Sequence, residues 1–419
     1  MSNRVFVVDM DQNPLMPCSA ARARQLLKTR EAAVFKHQPF TIILKDREGG
    51  AVQPVQFKVD PGSKQTGLAL VAEFPRGREV VFAAEIEHRG QAVKKGLESR
   101  RLLRRGRRAR HTRYRVKRFD NRTRPRGRLP PSLRSRVDNV LTWRRRLAKW
   151  APISSTSMEL NRFDTQLMEN PDISGVEYQQ GTLLGYEVRE YLLEKYHRTC
   201  AYCEKKDVPL EIDHIIPKSR GGVDSVRNLA IACVKCNQKK GNKTAAEFGH
   251  PEVEKLARLP LKDAAAVNAS RKAVKNGLAG FDPSIECGSG GRTKFNRRTQ
   301  GYPKAHWIDA ACVGPTGQVV KLDPETRPLF IKAMGRGSRQ KCQTDKYGFP
   351  IRHRGDHVRH FGFQTGDLVV ARRGSTVLVG RVTVRRTPHF NVRGKSFHPR
   401  NCRLLQRSDG YSYLEGKKP

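Results

Sequence analysis

The stretch "LEIDHIIPKSRGGVDSVRNLAIACVKCNQKKGNKT", residues 210–244, sets Asp213 beside His214, places Asn228 and Asn237 downstream, and contains a Cys-x-x-Cys. Those residue types suit phosphodiester cleavage. A general base must strip a proton from water near neutral pH, where histidine titrates. A hard cation must stabilise charge on the phosphate and the leaving oxygen, and it takes oxygen ligands such as the Asp213 carboxylate and an asparagine amide. Asn237 follows Cys236 directly, so a metal knuckle would fix its position. Asn228 falls between, where its amide could tie the catalytic loop to a helix. A zinc ribbon that only binds nucleic acid has no use for an Asp-His pair.

The cysteines around this stretch supply the knuckle. Cys200-x-x-Cys203 and Cys233-x-x-Cys236 stand 29 residues apart. Four thiolates match tetrahedral Zn²⁺, and a closed four-ligand site is structural rather than catalytic. Such a staple folds a segment too small to fold alone. The other five cysteines, Cys18, Cys287, Cys312, Cys342 and Cys402, are scattered and suggest no role.

A second set of reactive groups is dispersed. "KVDPGSKQTG" puts Asp60 at the end of an apolar strand, and "TSMELNRFD" does the same for Glu159. "KAHWIDAA" places His306 and Asp309 three apart, on one face of a helix. Acids from distant segments that converge could clamp an in-line displacement between two Mg²⁺ ions.

The elements that must position these groups read as follows. "RVFVVD" and "FTIIL" are strands, and "ARARQLLKTREAAVF" between them has helical spacing, a βαβ-like module with a Pro-bounded "NPLMP" turn. Residues 55–89 carry two stretches of period-2 character, "VQFKVD" and "TGLALVAEF", then "EVVFAAEIEH", which read as adjacent strands of one sheet with a Gly turn. Residues 94–118 hold thirteen Lys/Arg and one Glu, with "LESRRLLRRGRRAR" suited to a helix that Leu97, Leu102 and Leu103 anchor on one side. "LRSRVDNVLTWRRRLAKW" is helical, "ISSTSMEL" a strand, 165–180 a linker, and "LLGYEVREYLLEKY" and "PEVEKLARLPLKDAAAVNASRKAVKNGL" are helical. "ECGSGGRTKFNRR" reads as a Gly-rich turn, and from about 316 the chain reads as a small β-domain.

Net charge over the 419 residues is +42, from 82 Lys+Arg against 40 Asp+Glu, and calls for a polyanionic partner. No apolar run approaches the roughly 18 residues of a membrane span, and "MSNRVFVVDMDQNPLMP" lacks a signal-peptide pattern, so a cytoplasmic protein is expected.

The order Asp-His, Asn, Asn with flanking knuckles resembles the HNH nuclease family, with its ββα-metal core. That resemblance implies His214 as base, Asp213 and Asn237 as Mg²⁺ ligands, and Asn228 as a structural asparagine. The third position is Asn here and His in many members; Asn is the harder ligand, which favours Mg²⁺. Asp60, Glu159, His306 and Asp309 resemble the catalytic set of RuvC-like, RNase H-fold nucleases. The nesting of first segment, arginine-rich helix, second segment, HNH module and third segment resembles the type II CRISPR effectors and, at this length with "NPLMP", the IscB family. The implied fold is α+β and multidomain: a split RNase H-like domain with an inserted HNH domain, an arginine-rich bridge helix and a small C-terminal β-domain. The implied boundaries are 1–53 for the N-terminal module; 54–92, 121–165 and 251–315 for the RuvC-like segments; 93–120 for the bridge helix; 166–250 for linkers and the HNH domain; and 316–419 for a domain reading a target-adjacent motif.

The resemblance further implies an RNA-guided DNA endonuclease, one protein per guide RNA (omega RNA), acting on double-stranded DNA. The HNH site would cut the guide-paired strand and the RuvC-like site the displaced strand. Arg100, Arg101, Arg104, Arg105, Arg107, Arg108, Arg110 and Arg113 would grip phosphates along the guide. Two other readings compete: an unguided HNH endonuclease of restriction or homing type, and a non-enzymatic RNA-binding protein. The first leaves the arginine-rich helix unexplained; the second leaves both sets of acids idle.

Overall fold

A computed structural model describes residues 4–109, 128–160, 184–259, 264–334, 342–346, 349–353 and 359–415. The chain divides into two compact units, Met1–Glu159 with Ala273–Pro419, and Leu160–Lys272. In the first unit, β1 (Phe6–Val8), α1 (Ala20–Lys28), β2 (Ala32–Lys36) and β3 (Thr41–Leu44) make a three-stranded sheet in the order β1-β3-β2. The helix expected through Phe35 stops at Lys28. Thr29 closes it, Arg30 takes a left-handed φ of 63°, and the "EAAVF" end pairs with β3. Val34 and Phe35 have the shape for an edge strand, so the module is β-α-β-β. The "NPLMP" turn runs back along β1: Leu15 N–H donates to the Val7 carbonyl at 2.9 Å, and buried Asp9 accepts from the Asn13 N–H at 2.7 Å.

Next come β4 (Val55–Pro61), β5 (Gln65–Phe74) and β6 (Gly77–Glu87), an antiparallel meander in which Asp60 faces Gly67 and Gly67 faces Glu85. Thr66 to Ala72 are all buried. The sheet is covered on both sides, so the expected alternation gives way to a continuous buried run. The basic helix α2 (Gly90–Ala109) forms as read, straight through Gly106. Its expected leucine anchor does not: Leu97 is half-buried, but Leu102 and Leu103 are 59% and 64% exposed. Beyond its first turns the helix has no apolar face to bury. α3 (Pro131–Leu147) buries Val137, Val140, Trp143 and Leu147 and returns the chain to β7 (Ile153–Glu159), parallel to β4. The linker read at 165–180 lies outside the described residues.

The second unit contains α4 (Leu184–Lys195), the antiparallel pair β8 (Leu210–His214) and β9 (Leu229–Cys233), α5 (Val234–Lys240) and α6 (Pro251–Arg258). α6 was expected with the third RuvC-like segment. It instead puts Val253 and Ala257, one turn apart, into the same core as Leu192, Ile231 and Tyr202. α7 (Ala264–Leu278) follows.

The "ECGSGGRTKFNRR" stretch is not a turn. It forms β10 (Ile285–Gly288), parallel to β7, and α8 (Gly290–Thr299), whose Ser289 side chain caps Arg292 N–H. Gly288 serves close approach: a Cβ there would lie 2.5 Å from Gly314 N. The short α9 (His306–Ala311) lies on β5 and β4. β11 (Leu329–Ala333) then joins β6 in parallel. Two hairpins, β12 (Cys342–Thr344) with β13 (Pro350–His353) and β14 (Arg359–His360) with β15 (Phe363–Gln364), precede a five-stranded antiparallel sheet. Its strands are β16 (Leu368–Arg373), β17 (Thr376–Thr383), β18 (Phe390–Val392), β19 (Lys395–Phe397) and β20 (Cys402–Gln406), ordered β19-β18-β17-β16-β20 around Val369, Phe390 and Val392. The last strand, β21 (Tyr411–Glu415), pairs with β11. The main sheet therefore runs β10-β7-β4-β5-β6-β11-β21. The separate β-domain expected over 316–419 is smaller than that, because β11 and β21 complete the main sheet.

Candidate functional site

Asp60 is the next-to-last residue of β4 and Glu159 the last of β7. These strands are parallel neighbours with Val59 opposite Met158, so the two carboxylates leave the sheet side by side, about 4.8 Å between backbones. α9 supplies the rest. His306 Nδ1 lies 3.8 Å from Asp60 Oδ2, and Asp309 is close enough to feel the Asp60 charge. Gly67 makes this approach possible, since a Cβ there would sit 1.8 Å from the His306 carbonyl oxygen. The Asp60 carboxylate beside it, which would accept a proton from its ring, raises the His306 pKa against the opposing effect of burial. Burial, then the Asp60 charge, raises that of Asp309. The two acids and His306 are thus within electrostatic reach of one another in a half-buried place, whereas among the described residues only the four cysteines of the second unit bring three or more ligand atoms within 4.8 Å of one another.

Several groups that sequence reasoning missed hold α9. Buried Glu85 accepts the Trp307 N–H at 3.3 Å, at a helix start that has no side-chain cap. Fully buried Lys58 donates to the Val313 carbonyl and to Thr316 Oγ1, both at 2.7 Å, so a cation sits at the helix C-terminus. Burial lowers its pKa to about 8. Asn296 Nδ2 donates to the Cys312 and Gly314 carbonyls, and Arg297 Nε to Asp309 Oδ1 at 2.7 Å. Lys58 was legible as an anomaly, a charge two residues before Asp60 in an apolar strand.

In the second unit, one ligand atom from each of Cys200, Cys203, Cys233 and Cys236 lies within 4.8 Å of the others. Cys203 Sγ and Cys233 Sγ are 3.8 Å apart. That is the edge of a tetrahedron with sulfurs about 2.3 Å from a central Zn²⁺. The donor set is compatible with a zinc site.

Cys233 ends β9 and opens α5, so the knuckle fixes the helix that carries Asn237 and Lys240 against β8. Glu211 and Asp213, two apart, share a face of β8. Asn237 Nδ2 donates to Glu211 Oε2 at 2.9 Å, and Lys240 Nζ to Asp213 Oδ1 at 3.0 Å. Tyr202 donates to Asp213 Oδ2 at 2.5 Å. Asp213 is thus more enclosed than expected, yet each of its oxygens has a second lone pair. His214 is bonded through Nε2 to Asp224 Oδ1 at 2.7 Å, and Lys218 holds the other Asp224 oxygen at 2.7 Å.

Asn228 was expected to tie the loop to a helix. It ties the loop to itself: Oδ1 accepts the Ile216 N–H, and Nδ2 donates to the Ile216 and Val223 carbonyls. Three bonds pin the turn that follows His214. Gly222 closes it, since a Cβ there would meet the Ile216 carbonyl oxygen at 1.8 Å.

On the basic helix, Arg100, Arg101, Arg104, Arg105 and Arg108 are exposed. Arg107 lies within the helix, and Arg110 and Arg113 lie outside the described residues.

Residues 5–181 match the family described as RRXRR protein, and residues 200–251 match an HNH endonuclease family. The N-terminal part is an RRXRR-family region, and the cysteine unit is an HNH endonuclease domain. Together they are consistent with an IscB-like protein. The HNH match begins at Cys200 and contains every group of the β8–β9–α5 site. No curated protein matches the chain. Among solved structures, Streptococcus thermophilus Cas9 in complex with the GGAA PAM is 13% identical with a TM-score of 0.23, over 60% of this chain and 31% of that one. The same protein with the AGAA PAM is 12% identical with a TM-score of 0.22, over 61% and 32%. The chain therefore spans about a third of the length of these structures. No described helix is long and apolar enough to cross a membrane.

Proposed function

We propose that the chain is an RNA-guided DNA endonuclease with two cutting sites. The observation that carries the reading is the meeting of Asp60, Glu159, His306 and Asp309, drawn from three distant segments, in a chain that also has an HNH domain. The order β6-β5-β4-β7-β10, three antiparallel strands followed by two parallel ones, supports an RNase H-like sheet. The carboxylates and His306 fit Mg²⁺, as do Asp213 and Asn237, and bound Mg²⁺ would stabilise charge on the phosphate and the leaving oxygen. In the HNH domain, His214 takes the proton from the attacking water. With Nε2 held by Asp224, Nδ1 is the ring nitrogen left for that task. Asp213 and Asn237 orient the phosphate side, and Asn228 keeps His214 in place. In the other site, Asp60 and Glu159 present oxygens from fixed strand ends, and Asp309 and His306 close over them. Unguided cutting by the HNH domain alone would leave this second cluster without a task.

Guidance falls to RNA. Five exposed arginines on α2 line the part of the helix that has no apolar face, and the chain's +42 charge calls for a long polyanion. Such contacts grip backbone, and base pairing supplies the sequence. The purified protein is expected to carry a discrete RNA, and ribonuclease treatment to abolish DNA cutting. Equal cutting after complete RNA removal would sink the proposal.

Zinc is proposed as the fold's staple. Cys233→Ser is expected to release one zinc equivalent per chain and to expose residues 184–259 to protease, because the metal's binding energy is folding energy. Metal analysis with limited proteolysis checks this; a zinc-free but protease-resistant domain would refute it.

A further inference from the structure

Helix α8 has a side that the acid cluster does not use. Its inner side is committed: Thr293 and Asn296 are buried, Asn296 holds the carbonyls after α9, and Arg297 reaches Asp309. Its outer side carries Arg292, Phe295 and Arg298, three apart and therefore on one face, all exposed. Phe295 is 61% exposed. Neither arginine's guanidinium has a hydrogen-bond or ion-pair partner among the described residues, and the helix "GGRTKFNRRT" contains no acid. A bare ring between two uncommitted guanidinium groups fits a partner that is anionic and aromatic at once.

We propose that the Arg292–Phe295–Arg298 face binds single-stranded DNA, a base stacking on the ring and phosphates meeting the arginines. A duplex does not fit, because its bases are already stacked; a single strand offers its π-faces, and each stacked base contributes about 1–3 kcal/mol. The face lies across the helix from Arg297 and Asp309. A helix is about 10–12 Å wide, and stacked nucleotides rise about 3.4 Å each. A strand reaching from this face round the helix to the acid cluster therefore spans at least about three nucleotides. This rests on the reading that the cluster cuts a displaced strand.

The test uses the full chain and reads binding. Native Trp143, Trp150 and Trp307 are 0%, 5% and 1% exposed, so Phe295→Trp adds an exposed indole to a buried background. Its emission is expected to be quenched by a short oligodeoxythymidine, and not by a DNA hairpin duplex or inorganic phosphate. Phe295→Ala should weaken oligodeoxythymidine binding by about 5- to 150-fold. Arg292→Ala and Arg298→Ala should each reduce the salt slope by about 0.7. All three positions are exposed, so the melting temperature should not move. Unchanged emission at every oligomer concentration, equal quenching by the duplex, or quenching by oligouridine alone would overturn the proposal. Adding Asp60→Ala should leave the quenching intact. With Asp60 intact, quenching without nicking of the displaced strand would count against the acid cluster alone, and nicking without quenching against this face alone.

Discussion

Asp60→Ala is expected to abolish cleavage of the displaced strand while the guide-paired strand is still cut. Asp60 is the hub of its cluster: it stands beside Glu159 on the next strand, lies 3.8 Å from His306, and acts on Asp309 through its charge. Removing it takes away one carboxylate and the anchor that holds the His306 ring. Cation stabilisation of a phosphoryl transition state amounts to several kcal/mol, so the rate on that strand should fall by about a thousandfold or more. Strand-specific end labels on a guided duplex, resolved on a denaturing gel, give the answer. Both strands cut at the unmodified rate would remove the acid cluster from the mechanism. Loss of both cuts from a folded, RNA-bound protein would mean that the two sites are not separate.

His214→Ala should produce the mirror image: the guide-paired strand intact and the other nicked. A positioned general base contributes about a hundred- to ten-thousandfold, and no other imidazole in the β8–β9 hairpin could replace it. The fold should survive, because His214 is on the rim of the domain; the loop after it is pinned by Asn228, and the core by Leu192 and Ile231. The same labelled duplex reports the result. Continued cutting of the guide-paired strand at more than a tenth of the unmodified rate would transfer the base role to another group.

Much of this protein was legible in one dimension. The cysteine pairs, the Asp-His step and the arginine run are local patterns whose spacing carries its own chemistry; α2 formed where its helix-forming residues placed it, and β4 and β7 where apolar runs ending in Asp60 and Glu159 placed them. Local pattern failed where the neighbour decides. "EAAVF" is helix by composition and becomes β2 because β3 offers it hydrogen bonds. "ECGSGG" reads as a turn and its start becomes β10 because β7 offers it a parallel partner, while Gly288 leaves room for Gly314. Leu102 and Leu103 seemed an anchor and meet solvent.

The sequence by itself determined which side chains could do chemistry, since residue type sets pKa range and ligand hardness. The partners were decided only in three dimensions. Glu85 reaches Trp307 across 222 residues and Lys58 reaches Val313 across 255, and Asp224 meets His214 by the path of a loop. Such pairings depend on strand order and on what a glycine allows to approach, and neither has a period that a chain can display along its length.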